Sequence, residues 1–591
     1  MSFSNLRTFI HELEQRGELV RIKEEVDPNQ EITIIQHRVL ATGGPALLFE
    51  NVKGSPYRLV SNLYGTPERV QRVFGDRKPA EIGEELATLK DKMMPPTLSK
   101  IWNHRRTIKT VLNMRMKTVR SGPILESLHE PPNLQQLPVL KCWPLDGGDF
   151  FTLPLVHTAD PETGGGNLGM YRMQRYDNAS TGMHWQIEKG GGFHFKQAVA
   201  LGQSLPISVA LGGPPALTLS AITPLPEGVD ERMFAALILG KPLEVLHRKT
   251  TGHRISSQVE FLIEGRVTAG DVRREGPFGD HLGHYSHSAD FPVFRVDRVL
   301  SRKDAIYPAT VVGKPPQEDF YIGNALQELC IPFLKMLRPA VVDLWSYAES
   351  GFHPLAAMAV KQRYGRESLK HAFGILGEGQ LSLTKVLIVC DDGVDVRDFY
   401  ALSRALREHL NPLDGLHLMA PTAQDTLDFT GSAINFGSRL ILLANQGKDT
   451  PLRPAPPPPP KPTEVHPGIR ELRAFGEGVL MLQVSKGWNR EEIQKSLQNH
   501  PVTKQYVLHV AVSEDVDIHD DMMALWGWFT RFDPYLDIHP FRRELYGNKL
   551  IMHFPLFIDA TWKEGYRLPV EFDPTIEQRV EENWSRYGIP D

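Results

Sequence analysis

Residues 274–281 read Arg-Glu-Gly-Pro-Phe-Gly-Asp-His, and this stretch is the most informative in the chain. It places two carboxylates, Glu275 and Asp280, on either side of a Gly-Pro-Phe-Gly turn. Pro277 restricts the backbone, and the flanking glycines allow angles or close approaches that a side chain would block. The turn therefore sets the relative direction of the two acids, which suits proton transfer. Taken alone, the stretch also fits a surface turn with a solvated acid at each end.

The composition is that of an ordinary globular protein, with 591 residues, 41% hydrophobic and 23% charged. This length predicts about three or four domains. The net charge of -5 excludes a generally basic nucleic-acid binder but permits a local basic pocket. Cys142, Cys330 and Cys390 are too far apart for a disulfide framework or a CxxC metal site. The charged N-terminus does not resemble a signal peptide, and no apolar run reaches about 18 residues, so we expect a cytoplasmic protein without a membrane span.

The pattern of predicted helices and strands changes twice along the chain. Apolar residues at helical spacing after Ser4, a plausible N-cap, predict a first helix that ends at Gly17. Strand-like and helix-like segments then alternate, as is typical of a small α/β unit. Between 131 and 308, short β-type runs broken by glycine and proline predict a β-rich domain of barrel type. Beyond about Gly323 helices and strands alternate again, with a buried strand expected at 385–390.

A proline-rich segment, 454–462, separates two similar stretches of sequence. It predicts an extended, semi-rigid linker, although it could also be an SH3-type ligand. Val-Asp-Val-Arg-Asp at 394–398 is echoed by Val-Asp-Ile-His-Asp at 516–520, and Pro412 and Pro534 share the same offset of 122 residues. We interpret the second copy as a duplicated C-terminal α/β domain, although so short a motif can also recur by chance.

Two further motifs suggest a ligand site. Asn-Leu-Gly-Met-Tyr-Arg, 167–172, follows a glycine run, whose N–H groups can approach an anion while Arg172 offers a planar fork to a carboxylate. Glu231 opens an apparent helix, where it could simply interact with the helix dipole. With an Asn and a third ligand it would also suit Mn²⁺ or Mg²⁺ bridging a phosphate. Neither motif is persuasive without the other.

Together and in this order, the motifs resemble those of the UbiD family of reversible, non-oxidative decarboxylases. The resemblance covers nearly the whole chain. Its motifs are NLRTFI (5–10), GELVRI (17–22), PALLFENVKG (45–54), NLGMYR (167–172), EGPFGDH (275–281) and GKPPQED (313–319).

The resemblance implies a fold of α/β and β domains. It implies prenylated FMN as cofactor, supplied by a flavin prenyltransferase, with Mn²⁺ and often K⁺ bridging its phosphate to the protein. A homodimer or higher homo-oligomer is implied, with contact through the C-terminal domain. The expected layout is an N-terminal α/β domain (1–120), a central split β-barrel that binds the flavin (121–315), a C-terminal α/β domain (316–448), the proline-rich linker (449–468) and a second C-terminal α/β segment (469–591).

Site residues are implied motif by motif. Arg172, Glu275 and Asp280 match the family's catalytic network: the Arg would orient a substrate carboxylate, Glu275 would hold the guanidinium and relay protons, and Asp280 would donate the proton. Asn167 and Glu231 match two metal ligands. The residues implied to contact the cofactor are Asn167, Leu168, Gly169, Met170, Tyr171, Arg172, Lys189 and Arg439.

Two positions depart from the family pattern. Glu188 stands where the third metal ligand of the family is normally a His. A glutamate is a competent hard ligand, and His194 is the alternative. This departure puts the metal dependence of the protein in doubt. Arg439 stands where the family has a lysine that reaches the cofactor, and Lys549 in the second copy is its rival.

The leading hypothesis is a decarboxylase of an aromatic acid that serves as a quinone precursor. The long form resembles members associated with menaquinone biosynthesis and points to a dihydroxynaphthoate-type acid, with a 4-hydroxybenzoate on the ubiquinone route as the second choice. A catalytically silent flavin-binding relative and a metal-dependent hydrolase without flavin are the alternatives. We expect the extra segment to extend the oligomer contact rather than cover the pocket.

Overall fold

The computed structural model describes residues 3–94, 97–185, 189–225, 229–445 and 452–590. The chain divides into two compact units: unit 1 comprises Met1–Leu329 and Leu568–Asp591, and unit 2 comprises Cys330–Arg567. The domain boundaries expected from the sequence stay a prediction. Within the described residues, no helix is both long enough and apolar enough to cross a membrane.

A four-stranded sheet with flanking helices forms the N-terminal part of unit 1. Helix α1 buries Leu6, Phe9, Ile10 and Leu13 on one face, as their spacing predicts. The predicted cap at Ser4 is wrong: the side chain of Asn5 accepts the backbone N–H of Thr8 instead, because Asn5 directly precedes the first helical residue. The sheet order is β1-β2-β3-β16, with β1 Leu19–Val26, β2 Ala46–Val52, β3 Arg58–Ser61 and β16 Ile306–Pro308. The helices are α1 Leu6–Gln15, α2 Glu31–Ala41, α3 Pro67–Val73, α4 Pro79–Ala87, α5 Leu89–Met93, α6 Leu98–Asn103 and α7 Arg105–Asn113.

The centre of unit 1 is an antiparallel sheet in the order β10-β15-β14-β11-β7-β8, with β5 pairing β15. The expected β-rich region is therefore present. Among the described residues no pairing joins β8 to β10, so a closed barrel is not found. The strands are β4 Met116–Thr118, β5 Ser127–His129, β6 Phe150–Phe151, β7 Leu155–Ala159, β8 Gly166–Met170, β9 Met173–Gln174, β10 Ser180–Gly182, β11 Leu205–Leu211, β12 Leu243–His247, β13 Arg254–Ser256, β14 Phe261–Glu275 and β15 Ala289–Ser301. Helix α8 Gly190–Ala200 lies between β10 and β11, α9 Pro215–Ile222 and α10 Glu231–Leu239 lie between β11 and β12, and α11 Glu318–Leu337 follows β16.

Unit 2 contains two five-stranded sheets with the same topology. Their orders are β17-β18-β19-β21-β20 and β22-β23-β24-β26-β25. In each, the first and last pairs are antiparallel and the two inner pairs are parallel. The first half consists of β17 Val341–Ser346, β18 Leu355–Val360, α12 Glu367–Ile375, β19 Val386–Asp391, α13 Phe399–His409, β20 Leu416–Ala423 and β21 Phe436–Ala444. The second consists of α14 Pro462–Val465, β22 Ile469–Phe475, β23 Val479–Val484, α15 Arg490–Asn499, β24 Leu508–Val512, α16 Asp521–Phe529, α17 Pro534–Asp537, β25 Ile538–Tyr546 and β26 Lys549–Ala560.

The repeat extends to individual hydrogen bonds. Asp395 accepts the backbone N–H of Arg397, and 122 residues later Asp517 accepts that of His519. Likewise Asn411 accepts the N–H of Leu413, and Asp533 that of Tyr535, both at 2.9 Å. Because side chains at equivalent positions close the same turns in both halves, the structure favours the duplication inferred from the short motifs.

The two halves of unit 2 share one hydrophobic core. Phe399 and Leu402 of α13 belong to the same buried cluster as Phe475, Trp526 and Trp528 of the second half. The last helix of the chain, α18 Pro574–Asn583, instead belongs to unit 1, whose core includes Val570, Val580 and Tyr587. A truncation from Pro454 onward would therefore remove parts of two cores, so surface substitutions are a cleaner test of the extra segment.

Candidate active site

The turn at 275–280 is held by hydrogen bonds from neighbouring side chains. Gly276 has φ +84°, a left-handed conformation that favours glycine, and its N–H donates to the Gln174 amide oxygen at 2.8 Å. At Gly279 a Cβ would lie 2.2 Å from the Trp143 ring, and the N–H donates to Asp146 at 2.7 Å. Both glycines thus have the roles expected from the sequence. Burial raises the pKa of Asp146 to about 7, although backbone N–H groups oppose the shift.

Arg172 lies between the two acids of this turn. Its Nε donates to Glu275 Oε1 at 3.2 Å, Nη1 donates to Asp280, and Nη2 donates to Ser286 Oγ at 3.0 Å. The Cζ atom is 5.0 Å from the Phe278 ring centroid, and the side chain is 8% exposed. The structure therefore brings together all three predicted catalytic residues, although more than 100 positions separate Arg172 from either acid.

Both acids are ionised in this arrangement. Burial by itself would raise the pKa of Glu275, but hydrogen bonds and charge from His184 and Arg172 hold it below its usual value. Burial would likewise raise the pKa of Asp280, yet Arg172 and His281 lower it to about 2. Asp280 therefore rests as a carboxylate, which limits how it can act as a proton donor.

His184 and Gly182 complete the surroundings of Glu275, and neither received a role from the sequence. His184 Nδ1 is 2.8 Å from Glu275 Oε1, and burial followed by the charge of Arg172 lowers the pKa of this His. A Cβ on Gly182 would lie 2.7 Å from Glu275 Oε2. The motif His184-Trp185 was visible in the sequence, but its partner lies 91 residues further on.

Three buried polar atoms beside this network have no hydrogen-bond partner among the described residues: His184 Nε2, Glu275 Oε2 and Trp185 Nε1. Buried polar groups normally find partners, because leaving one unsatisfied costs about 1–3 kcal/mol. Unsatisfied donors and acceptors next to an arginine and two carboxylates fit a site that receives a polar ligand.

The motif at 167–172 meets the start of α8. Lys189 is the N-terminal cap residue of this helix, which begins with three glycines. A Cβ on Gly190 would lie 2.2 Å from the Asn167 amide oxygen, and the N–H of Gly191 donates to the Tyr171 hydroxyl at 3.2 Å. Backbone N–H groups at a helix N-terminus favour an anion, so these residues fit the phosphate of a flavin. Leu168 and Gly169 lie on β8 beside Asn167, and Met170 ends this strand.

The predicted metal ligands are described only in part. Glu231 accepts the N–H of Leu168 at 2.8 Å, next to Asn167, and burial raises the pKa of Glu231 to about 7. Glu188 lies outside the described residues. His194 Nδ1 is 2.9 Å from Thr158 Oγ, the hydroxyl that also accepts from Asn167 Nδ2 at 3.4 Å. Within the described part of the chain, no group of three or more His, Cys, Asp or Glu residues could hold a metal ion.

Arg439 and Lys549 both donate to backbone carbonyls within unit 2. Arg439 Nη1 and Nη2 each lie 3.0 Å from a carbonyl oxygen, of Leu376 and Ala423 respectively. Lys549 Nζ donates to the carbonyl of Leu413 at 2.6 Å. The neighbouring Ser438 donates to Asp533 and so links the two halves of the unit. A cofactor contact by either cation stays a prediction.

Three family profiles match the chain. They describe the N-terminal domain (residues 10–90), the Rift-related domain (117–315) and the C-terminal domain (320–444) of 3-octaprenyl-4-hydroxybenzoate carboxy-lyase, UbiD. An uncharacterized protein of Chlamydia trachomatis is 42% identical over 99% of both chains. A Chlamydia pneumoniae protein, named as one subunit of a 4-hydroxybenzoate decarboxylase, is 42% identical over 99% of this chain and 98% of its own.

Solved structures share the fold. Vanillic acid decarboxylase of Sedimentibacter hydroxybenzoicus, in its closed form, has a TM-score of 0.68 and 26% identity, covering 78% of this chain and 95% of its own. The UbiD-class enzyme HmfF of Pelotomaculum thermopropionicum, in complex with FMN, has a TM-score of 0.62 and 22% identity over 76% of this chain and 95% of that one. An evolved dimeric form of the same enzyme is in complex with prenylated FMN.

Proposed function

Because the chain belongs to the UbiD family and is a carboxy-lyase of that type, we propose that it decarboxylates an aromatic carboxylic acid non-oxidatively with prenylated FMN. The observation that carries this proposal is the buried network of Arg172, Glu275 and Asp280. The similarity to vanillic acid decarboxylase supports an aromatic substrate, and the flavin complexes of HmfF support the cofactor.

In this proposal Arg172 anchors the carboxylate of the substrate. Its guanidinium turns from Asp280 towards the incoming anion while Glu275 and Ser286 keep hold of its other two nitrogens. The exchange replaces one anion beside Arg172 by another. Because the guanidinium sits over the Phe278 ring and away from bulk water, the ion pair with the substrate is strong.

Proton delivery follows from the same movement. Once Arg172 no longer pairs with Asp280, burial raises the pKa of Asp280 and it can take up a proton. His281 Nδ1 is 2.8 Å from Asp280 Oδ1 and its side chain is 25% exposed, so in this proposal it relays the proton from solvent. When the bond to CO2 breaks, the ring carbon keeps the electron pair, and the proton from Asp280 forms the new C–H bond. Each turnover consumes one proton and releases one CO2.

Bound prenylated FMN would supply an electron sink for the carbanion character that loss of CO2 leaves on the substrate. Lys189 and the glycine-rich N-terminus of α8 would hold its phosphate, and Asn167, Glu231 and either Glu188 or His194 would be the ligands of Mn²⁺. K⁺ would accompany the divalent ion. Arg439, with Lys549 as its rival, would be a further phosphate contact.

The proposed substrate is a quinone precursor, either a dihydroxynaphthoate-type acid or a 4-hydroxybenzoate. A pocket for such acids needs an apolar lining with one cationic anchor, and Arg172 is the anchor. The chain would act as a homodimer or larger homo-oligomer in the cytoplasm.

Co-expression with a flavin prenyltransferase tests the proposal. Mass spectrometry of the released chromophore should identify prenylated FMN, and the protein should then release CO2 from monocyclic or bicyclic hydroxylated aromatic acids. A chromophore without the prenyl group, or a loaded protein inactive on every aromatic acid, would contradict the proposal.

A further inference from the structure

A basic segment interrupts the otherwise acidic chain. Residues 92–125, called here the basic segment, contain eight Lys and Arg residues and no Asp or Glu, whereas the whole chain has a net charge of -5. So complete a separation of charge favours contact with an anionic partner. The eight cations are Lys92, Lys100, Arg105, Arg106, Lys109, Arg115, Lys117 and Arg120.

The helices of this segment expose apolar side chains beside the cations. Among its nine described residues, α7 buries Thr107 alone, so most of its surface faces solvent. Trp102 is 68% exposed and Leu112 is 67% exposed, and Ile101 and Val111 are exposed as well. Surface helices of globular proteins normally turn their apolar residues to the core, and clustered exceptions mark interaction sites.

One of the cations lies against one of the exposed apolar side chains. The guanidinium of Arg105 is 4.8 Å from the ring centroid of Trp102, so charge and indole are presented together. At its end α7 is attached to the rest of unit 1, where Asn113 Nδ2 donates to the carbonyl of Gly240 at 3.0 Å. The segment is therefore attached to unit 1 and exposes cations together with aromatic and aliphatic side chains.

We propose that α6 and α7 bind the surface of an anionic lipid bilayer. A bilayer offers both requirements at once: acidic headgroups for the cations and an apolar boundary for Trp102 and Leu112. A nucleic acid would pair with the cations but leave the aliphatic side chains in water. A second copy across a two-fold axis would place like charges against each other. An acidic protein partner is the rival that the experiment must separate.

Vesicle flotation of the full chain tests this proposal. Wild-type protein should float with vesicles of phosphatidylcholine mixed with phosphatidylglycerol and stay behind with phosphatidylcholine alone. Arg105→Glu/Arg106→Glu/Lys109→Glu should weaken binding to the mixed vesicles by at least about 100-fold, at roughly fivefold per lost cation. Trp102→Ser/Leu112→Ser keeps every charge and should also reduce binding.

Matched controls separate the segment from net charge. Lys486→Glu/Lys495→Glu/Lys504→Glu makes the same charge change at exposed lysines of unit 2 and should float like wild type. Thermal melts should show that all variants are folded. Failure of wild type to float overturns the proposal, as does equal flotation of the charge-reversal and control variants. If Trp102→Ser/Leu112→Ser floats like wild type and the protein binds polyglutamate in a salt-sensitive way, the surface would be assigned to an acidic protein partner instead.

Discussion

Asp280→Asn separates the proton transfer at this site from its packing. The substitution keeps the shape of the side chain and removes its acidity. General acid–base catalysis is worth about 10²–10⁴-fold, so turnover should fall by that factor, or about 2.7–5.4 kcal/mol in the activation free energy. Flavin should remain bound, because Asp280 belongs to the Arg172 network and not to the start of α8.

The same structure predicts how the stability of this variant depends on pH. Asp280 has a folded pKa of about 2, below its usual 3.8, so its contribution is present above about pH 4 and is lost as the pH falls towards 2. The difference corresponds to about 2 kcal/mol. Asp280→Asn should therefore melt at a lower temperature than wild type at pH 6, with the gap closing towards pH 2.

The assay measures CO2 release and, for product formed in D2O, deuterium at the carbon that lost the carboxylate. Asp290→Asn, an exposed acid on β15, is the control for loss of one negative charge. If Asp280→Asn retains turnover within a few-fold of wild type, Asp280 is not the proton donor. If the variant loses flavin as well, its effect is structural and the reasoning fails.

Four further predictions concern single residues or pairs of residues. Gly182→Ala should lower activity and reduce the free energy of unfolding by about 1–3 kcal/mol, because the new Cβ would lie 2.7 Å from Glu275 Oε2. The control Gly365→Ala places its Cβ where no atom lies within 4 Å, so activity and melting assays should show neither effect. Burial raises the pKa of Asp146 to about 7, so the stability that this group contributes is present below about pH 4 and is lost as the pH rises to 7. The melting temperature of Asp146→Asn should therefore fall less than that of wild type between pH 4 and pH 7. An identical fall in both proteins would refute the raised pKa. Metal analysis should show loss of Mn²⁺ from Glu188→Ala. If Glu188→Ala retains Mn²⁺ and His194→Ala loses it, His194 is the third ligand instead. Leu545 and Tyr546 are 72% and 68% exposed. If the extra segment forms the oligomer contact, Leu545→Ser/Tyr546→Ser should reduce the oligomer size measured by light scattering. An unchanged size would argue against that contact.

Much of the fold could be predicted because its signals are local. The spacing of Leu6, Phe9, Ile10 and Leu13 defines one face of α1, and that face is buried. The strand expected at 385–390 is β19, Val386–Asp391. Such patterns need only neighbouring residues, since the side-chain period of a helix or strand repeats within a few positions. The cap of α1 was misplaced by one residue because Ser and Asn cap equally well and only the backbone conformation chooses between them.

The repeat in unit 2 shows where local signals end. A shared offset of 122 residues indicated a duplication, and the two sheets have the same topology. The sequence suggested a separate second segment behind a stiff linker, because PAPPPPPKP breaks the pattern of helices and strands. The shared core of Phe399, Phe475 and Trp528 depends on contacts across that linker, which no local pattern encodes.

By itself the sequence identified Arg172, Glu275 and Asp280 as the residues proposed to carry the chemistry, because they stand in motifs whose residue types and order are specific. Only the tertiary structure decided their charge state and their neighbours. His184 reaches Glu275 across 91 residues, and Ser286 reaches Arg172 across 114. A pKa depends on burial and on charges within a few ångströms, so the carboxylate state of Asp280 depends on Arg172, which the fold brings from 108 positions away, as well as on its sequence neighbour His281.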